Sequence, residues 1–347
     1  MKLVTFRDFA ESPRVGVIVP EDDVIVDLAQ GHELLHGQAP SVFRDMLALI
    51  DGGAAALDQV HAVVDRVLGS GVDDAVLDAA KTPLLAPVPE PRQMRDCLVF
   101  EKHYTQARRQ RYRKLAAASA DPEAAYKAFE QGGHLAVPPV WYEQPIYYKQ
   151  NRFSVVGPEA DVIWPRYSQV MDFELEFGII IGRVGKDIPR DGAVEHIFGY
   201  TIFNDFSARD AQTREMAGQL GPAKGKDFDS GNVLGPWLVT RDEVQDPYDL
   251  TMIARVNGKE WTRGNTGDMH HKFEDIIAHI SADETLYPGE FIGSGTVGGG
   301  CGLELDRFLS DGDIVELEVS GLGTLRNRVK VQRTVRSSSP ATAEGGR

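Results

Sequence analysis

Residues 171–181 read MDFELEFGIII, and no other stretch constrains the fold of this chain as strongly. Side chains on an extended strand alternate between faces. Met171, Phe173, Leu175 and Phe177 therefore share one side, and Asp172, Glu174 and Glu176 the other. Glu174 and Glu176 project side by side, roughly 7 Å apart at the backbone. The apolar, strand-sized run FGIII follows them. Two adjacent carboxylates in that setting repel one another unless something cationic lies between them, and a hard divalent cation with oxygen ligands is the natural partner. The plain alternative for an isolated Glu-x-Glu pair is a polar strand edge facing solvent.

Strand patterns continue around this run. FGYTIFND, NVLGPWLV, LTMIARVNG, DIVELEVSG and TLRNRVKVQ are broken by only two helical patterns, SARDAQTREMA and HHKFEDIIAHI. That balance predicts an α+β, β-rich fold, a mixed sandwich, roll or barrel rather than a doubly wound sheet. Ahead of it, LVTF, RVGVIV and DVIVDL read as strands and residues 39–80 as helices, a small α/β module of its own. Pro87, Pro89 and Pro91 forbid helix and favour an extended connector. The expected organisation is an N-terminal domain over 1–85, a catalytic domain over 92–333 and a disordered polar tail over 334–347. Residues 108–132 read as a helical excursion, a mobile lid or entrance wall. Its basic cluster of Arg108, Arg109, Arg111, Arg113 and Lys114 could attract an acidic substrate.

Charge and cysteine usage narrow the partners. Lys plus Arg number 37 against 52 Asp plus Glu, a formal net charge of −15, which argues against nucleic acid and anionic membrane surfaces. No uninterrupted apolar run approaches the 18 or so residues that span a bilayer, and the N-terminus shows no apolar signal region. Cys97 and Cys301 are the only cysteines, too few for a disulfide framework, and suit a reducing cytoplasm.

Further candidates surround the carboxylate pair. Asp205 closes a strand-like run and is placed to be a third oxygen ligand, with Arg209 or Asp210 orienting it and Ser207 opening the following helix. Lys224 and Lys226 lie in a small-residue loop, where a lysine can stabilise an oxyanion or lose its proton. Asp96, Glu101 and His103 lie upstream, and a histidine is the default general base near neutral pH.

Taken in order, Glu174-x-Glu176, NDFSARDAQ (204–212), GPAKGKDF (221–228) and GSGT (293–296) resemble the fumarylacetoacetate hydrolase family over roughly residues 95–332. The resemblance implies that family's mixed β-sandwich or β-roll and a homodimer. It also implies Mg²⁺ (or Mn²⁺ or Ca²⁺) on Asp96, Glu174, Glu176 and Asp205. By the same resemblance His103 is the catalytic base, Glu304 orients it, and Lys226 polarises the substrate. Arg209, Gln212, Tyr147 and Thr296 fall where the family contacts substrate, as do Tyr148 and Asn151. A family branch that pairs the histidine with a glutamate three residues later is not matched, since Gln106 stands there. The activity implied is hydrolysis of a carbon–carbon bond in a small acidic diketo or oxo-dioic acid, as in aromatic-compound catabolism. The alternatives are a decarboxylase or tautomerase of a β-keto acid such as oxaloacetate, or a 2-hydroxyhepta-2,4-diene-1,7-dioate isomerase.

Two motifs point elsewhere. His32-Glu33-Leu34-Leu35-His36 spells HExxH, but Gly31, Gly37 and Pro40 argue against the long helix that a zinc protease needs. Residues 293–298 spell GxGxxG, but more glycine and then a strand are expected to follow, with no βαβ unit to cradle a dinucleotide. A non-enzymatic binding or scaffold protein would not need these acid–base residues in this order.

Overall fold

The alternation along residues 171–181 becomes the packing of a central sheet. In the strand Leu175–Ile181, Leu175, Phe177, Ile179 and Ile181 enter one apolar core, and Ile180 enters another on the opposite face. The neighbouring strand Ile197–Asp205 divides likewise: Ile197, Tyr200 and Ile202 join the first core, Phe198 and Phe203 the second. The computed structural model describes residues 1–8, 12–19, 21 and 23–332. The tail expected to be disordered lies outside the described residues.

The large sheet has 11 strands. From its N-terminal edge the order is Val76–Asp78, Val24–Asp27, Pro13–Val19, Lys2–Arg7, Asn232–Thr240, Ile197–Asp205, Leu175–Ile181, Phe291–Gly293, Met94–Cys97 and Tyr147–Lys149, and Val155–Val156 also pairs with Asn232–Thr240. The first core fills the space towards a five-stranded sheet, Lys259–Asn265, Thr251–Val256, Ile314–Val319, Gly323–Val331 and Asp161–Trp164, and the helix Phe273–Ser281. The second core lies beneath the helix Met46–Ser70. Helix, sheet and sheet thus form three layers, the β-rich α+β class expected, with no closed barrel among the described residues.

The expected N-terminal module does not keep a sheet of its own. Lys2–Arg7 pairs antiparallel with Asn232–Thr240, setting Leu3 opposite Leu238. Leu3, Val15, Val17 and Val26 share their core with Phe203, Leu234, Leu238 and Phe291. Without this pairing the 232–240 strand would present open N–H and C=O groups beside an uncovered apolar face. The proline-rich connector is itself stitched to the first strand, with Leu85 N–H donating to Thr5 O and the Thr5 hydroxyl to Pro87 O.

Met46–Ser70 has 25 residues and, by length and composition, is long and apolar enough to cross a bilayer, although no uninterrupted apolar run was expected. Here it is a covering helix. Leu49, Ile50, Ala56, Val60, Val63 and Val67 are buried, and Asp51 accepts two bonds from Arg92. Asp45 caps its start and Gly53, at φ 53°, kinks it.

The HExxH motif occupies the nine-residue helix Leu28–His36, helical where the flanking glycines argued against a long helix. His32 Nδ1 meets the Gln38 carbonyl at 2.7 Å, and no third ligand joins the two histidines among the described residues. The GxGxxG stretch leads into the four-residue helix Gly302–Leu305 rather than directly into a strand, but the next strand, Ile314–Val319, belongs to the five-stranded sheet, so no βαβ unit forms.

Because the second core joins both halves of the chain, Leu49→Ala is expected to cost about 2–5 kcal/mol. A thermal melt should show this as one transition moved down as a whole; a separate early transition of the N-terminal segment would contradict the shared core.

Candidate active site

Three carboxylates stand on the sheet face that carries Met94, Ile180, Phe203 and Phe291, each at or near a strand end. Glu176 lies near the start of Leu175–Ile181, Asp205 ends its antiparallel partner, and Asp96 lies on Met94–Cys97 beside Gly293. Ligand oxygens of Asp96, Glu176 and Asp205 lie within 4.8 Å of one another, and all three residues are buried. Glycine makes the room: a Cβ on Gly293 would fall 2.5 Å from Asp96 Oδ1. The loop beyond Gly293 supplies donors, Gly295 N–H to Asp96 Oδ1 (3.0 Å) and the Thr296 hydroxyl to Glu176 Oε1 (3.0 Å). Thr296, expected on the substrate, here holds a carboxylate.

Glu174 stands beside this group rather than in it. The run 171–177 breaks into Met171–Asp172 and Leu175–Ile181, and Glu174 N–H donates to Asn204 Oδ1 across the break. One Glu174 oxygen accepts from Arg209 Nη2 (2.7 Å), the other from Lys226 Nζ (2.5 Å). Burial works against its charge, but the two cations overrule it and hold the carboxyl well below its usual range. Lys226 also donates to Asp205 Oδ2 (2.7 Å). Burial opposes its charge too, yet Asp205 and Glu174 raise its pKa, so Lys226 is a fixed cation and not a proton carrier. Lys224 lies over the ring of Tyr167, outside the site.

His103 lies in the first turn of the helix Glu101–Ala117, and its Nδ1 meets Glu304 Oε1 at 2.7 Å. Gly299 N–H secures the other Glu304 oxygen (2.8 Å). Glu101 instead accepts from Tyr142, so Glu304 is the partner of His103. Burial disfavours the imidazolium, but the Glu304 carboxylate outweighs it and raises the His103 pKa. The helix that bears the expected lid's arginines thus also bears His103. A second helix, Pro122–Gln131, capped by Asp121, completes that excursion.

Strand alternation decides between the two tyrosines. The Tyr148 hydroxyl reaches Asp205 Oδ2 (2.6 Å), whereas Tyr147 faces His279 and the first core. Gln212 accepts from Arg209 Nη1 (2.9 Å). Asn151 caps the turn Arg152–Ser154, and its backbone N–H donates to Asp227. Ser207 does not cap a helix. Its hydroxyl donates to Asp205 O, and Asp210 ties Ser168 and Gln169, so neither Arg209 nor Asp210 orients Asp205.

Asp172 was missed, although the alternation already placed it on the face of Glu174 and Glu176. It is fully buried and accepts from Arg209 Nε (2.7 Å), Gly302 N–H (2.7 Å) and Leu303 N–H (2.8 Å). It joins the arginine to the turn that carries Glu304.

A β-rich α+β sandwich that buries a carboxylate cluster, a His–Glu pair and a lysine is the arrangement the sequence resemblance led one to expect. The family model for the fumarylacetoacetate (FAA) hydrolase C-terminal region matches residues 116–330, and the chain belongs to the fumarylacetoacetate hydrolase family. The human mitochondrial oxaloacetate tautomerase FAHD2A is 42% identical over 188 residues, 54% of this chain and 59% of that protein. The Xenopus laevis mitochondrial oxaloacetate tautomerase fahd2 is 31% identical over 331 residues, 95% of this chain and 90% of the relative. The solved fumarylacetoacetate hydrolase of Exiguobacterium antarcticum superposes with a TM-score of 0.67 at 25% identity, covering 96% of this chain and all of that one. The Sphingobium sp. SYK-6 maleylpyruvate hydrolase, solved with manganese(II) and pyruvate, shares the fold at TM-score 0.67 and 23% identity, with 96% of this chain and 100% of that one covered. The vertebrate names place those relatives in mitochondria, in contrast to the cytoplasmic expectation here.

The three carboxylates fit a hard divalent cation. Glu176 Oε2 and Asp205 Oδ1 are buried without a hydrogen-bond partner, and all the donors are oxygen. Burial first, and mutual repulsion second, push Asp96 up to about 7 and raise Glu176 well above its usual value. Burial also dominates in raising Asp205 to about 6, against the pull of Lys226. Folded carboxyls with raised pKa values hold protons that the unfolded chain would release, so the metal-free protein loses stability as pH rises from about 4 to 7. A bound cation displaces those protons, and its affinity should rise over the same window. Mn²⁺ should therefore raise Tm more at pH 8 than at pH 6, and Glu176→Gln should remove most of the shift. Equal shifts at both pH values, or an undiminished shift in the variant, would contradict the assignment.

Proposed function

We propose that this chain is a divalent-cation-dependent enzyme that moves a proton on a small acidic β-dicarbonyl compound, with keto–enol interconversion of an oxaloacetate-like acid as its reaction. The observation that carries the reading is the buried His103–Glu304 pair, electrostatically in reach of Glu174 and Arg209. The identity with tautomerases over 95% of the chain favours this chemistry over the hydrolysis expected from the sequence alone.

With Nδ1 committed to Glu304, His103 Nε2 is the nitrogen left to take a proton from the carbon between two carbonyls. The electron pair moves onto the neighbouring oxygen, where the Lys226 ammonium stabilises it, and the imidazolium returns the proton there. Arg209, held by Asp172 and Gln212, offers a guanidinium for a substrate carboxylate. A divalent cation on Asp96, Glu176 and Asp205, Mg²⁺ or Mn²⁺, would add charge stabilisation and orientation.

Hydrolytic cleavage of a diketo acid is the second reading, favoured by the likeness to the Exiguobacterium enzyme. There His103 would take its proton from water, hydroxide would add to the carbonyl, and the departing carbanion would recover the proton.

The cytoplasm stays part of the proposal, since both cysteines are free and buried. So does a homodimer, on the family membership. Light scattering should give twice 38.2 kDa.

Product analysis in ¹⁸O-labelled water, with oxaloacetate and a panel of acylpyruvates, separates the reactions. Loss of enol absorbance without label or CO₂ is expected. Label in a carboxylate product would establish hydrolysis instead, and CO₂ without label would establish decarboxylation. Glu304→Gln should cut kcat by roughly 10²-fold. It should also move the acidic limb of the kcat/KM profile to lower pH, because the carboxylate that raises the His103 pKa is gone; an unmoved limb would remove Glu304 from this role.

A further inference from the structure

Cys301 has no part in the chemistry above, yet its sulfur lies in the wall of the site. Its Sγ is 3.4 Å from Glu304 Oε1, the oxygen that also meets His103 Nδ1. One ligand atom from each of His103, Cys301 and Glu304 lies within 4.8 Å of the others, and all three residues are buried. This set offers nitrogen, sulfur and oxygen. As thiolate and carboxylate it carries two negative charges, the complement of a divalent ion. Ligand atoms bonded to a tetrahedral zinc at about 2.0–2.3 Å stand roughly 3.5 Å apart, so the cluster needs movements only on the order of 1 Å. Asp96, Glu176 and Asp205 offer oxygen alone. The two clusters therefore differ in softness, and soft ligands select different metals from hard ones.

We propose that His103, Cys301 and Glu304 form a second cation site, specific for thiophilic divalent ions of the zinc and cadmium kind, and that its occupation blocks the enzyme. On binding, the Cys301 thiol releases its proton to solvent as the sulfur–metal bond forms. The ring nitrogen that binds carries no proton, and a neutral imidazole keeps its one proton on the other nitrogen. No electron is transferred. A ring and carboxylate held by the ion can no longer act as base and orienter. The binding stands whatever the reaction is; the block rests on His103 being the base.

The test titrates Cd²⁺ into the full-length chain kept in saturating Mg²⁺ and follows sulfur-to-cadmium charge-transfer absorption in the ultraviolet. One equivalent is expected to give the band. Zn²⁺ should compete it away and further Mg²⁺ should not. Cys97→Ser should retain it, Cys301→Ser and Cys301→Ala should lose it, and His103→Asn should weaken binding roughly tenfold or more. If neither Cys301 variant folds, the His103→Asn comparison decides, since it leaves both thiols in place. Zn²⁺ should inhibit turnover over the range in which it displaces cadmium, and Cys301→Ser should need roughly tenfold more for the same inhibition, relative to its own basal rate. A wild-type chain without the band, or a band that survives Cys301→Ser and vanishes in Cys97→Ser, would overturn the site. A band accompanied by full turnover would overturn the block.

Discussion

The structure turns on the burial of uncompensated negative charge. Asp96, Glu176 and Asp205 are removed from water, and among the described residues the one cation hydrogen-bonded to any of them is Lys226, on Asp205. Water would have screened their repulsion; inside the sheet it acts at close to full strength and drives the carboxyls towards their neutral forms. The surroundings resist this with fixed donors, the Thr296 and Tyr148 hydroxyls and the Gly295 amide. Two oxygens remain without a partner. Such an arrangement persists only on a scaffold that cannot relax, and strands buried on both faces provide one. The N-terminal segment belongs to that scaffold, because its strands and long helix complete the second core beneath the site.

Asp172 links the charge cluster to the His103–Glu304 pair. Its carboxylate holds Arg209 on one side and the amides of Gly302 and Leu303 on the other, and Glu304 follows one residue later. Arg209 in turn fixes Glu174, and Glu174 fixes Lys226. A displacement at any of these positions is therefore felt by both the His103 pair and the carboxylates. Buried networks of this kind behave as units, since each charge depends on the next for its desolvation.

Much of the site was legible in residue types and their spacing. Alternation in 171–177 put Asp172, Glu174 and Glu176 on one face, although the strand breaks between Asp172 and Leu175. The errors lay where local pattern could not decide. Tyr147 and Tyr148 are adjacent, and only the pairing of their strand with Met94–Cys97 shows which one faces Asp205. Ser207 follows a strand and precedes a helix, as a cap would, yet a second short pairing with Met171–Asp172 keeps it extended. The N-terminal strands looked self-contained because no local signal reveals that Leu3 will lie opposite Leu238.

By itself the sequence determined the inventory: a β-rich chain, carboxylates clustered in an otherwise apolar strand region, a histidine downstream of Asp96 and Glu101, and two lysines flanking a glycine. Period-two patterning and side-chain chemistry are local properties and survive in one dimension. Tertiary structure alone decided partnership and charge state. His103 and Glu304 are 201 residues apart in the chain and meet at 2.7 Å. Glu174 went to two cations while Asp96, Glu176 and Asp205 were left together. Strand order brings such distant residues into contact, and only after that contact excludes water do their proton affinities separate into a fixed cation, an imidazole of raised pKa and carboxyls suited to a metal.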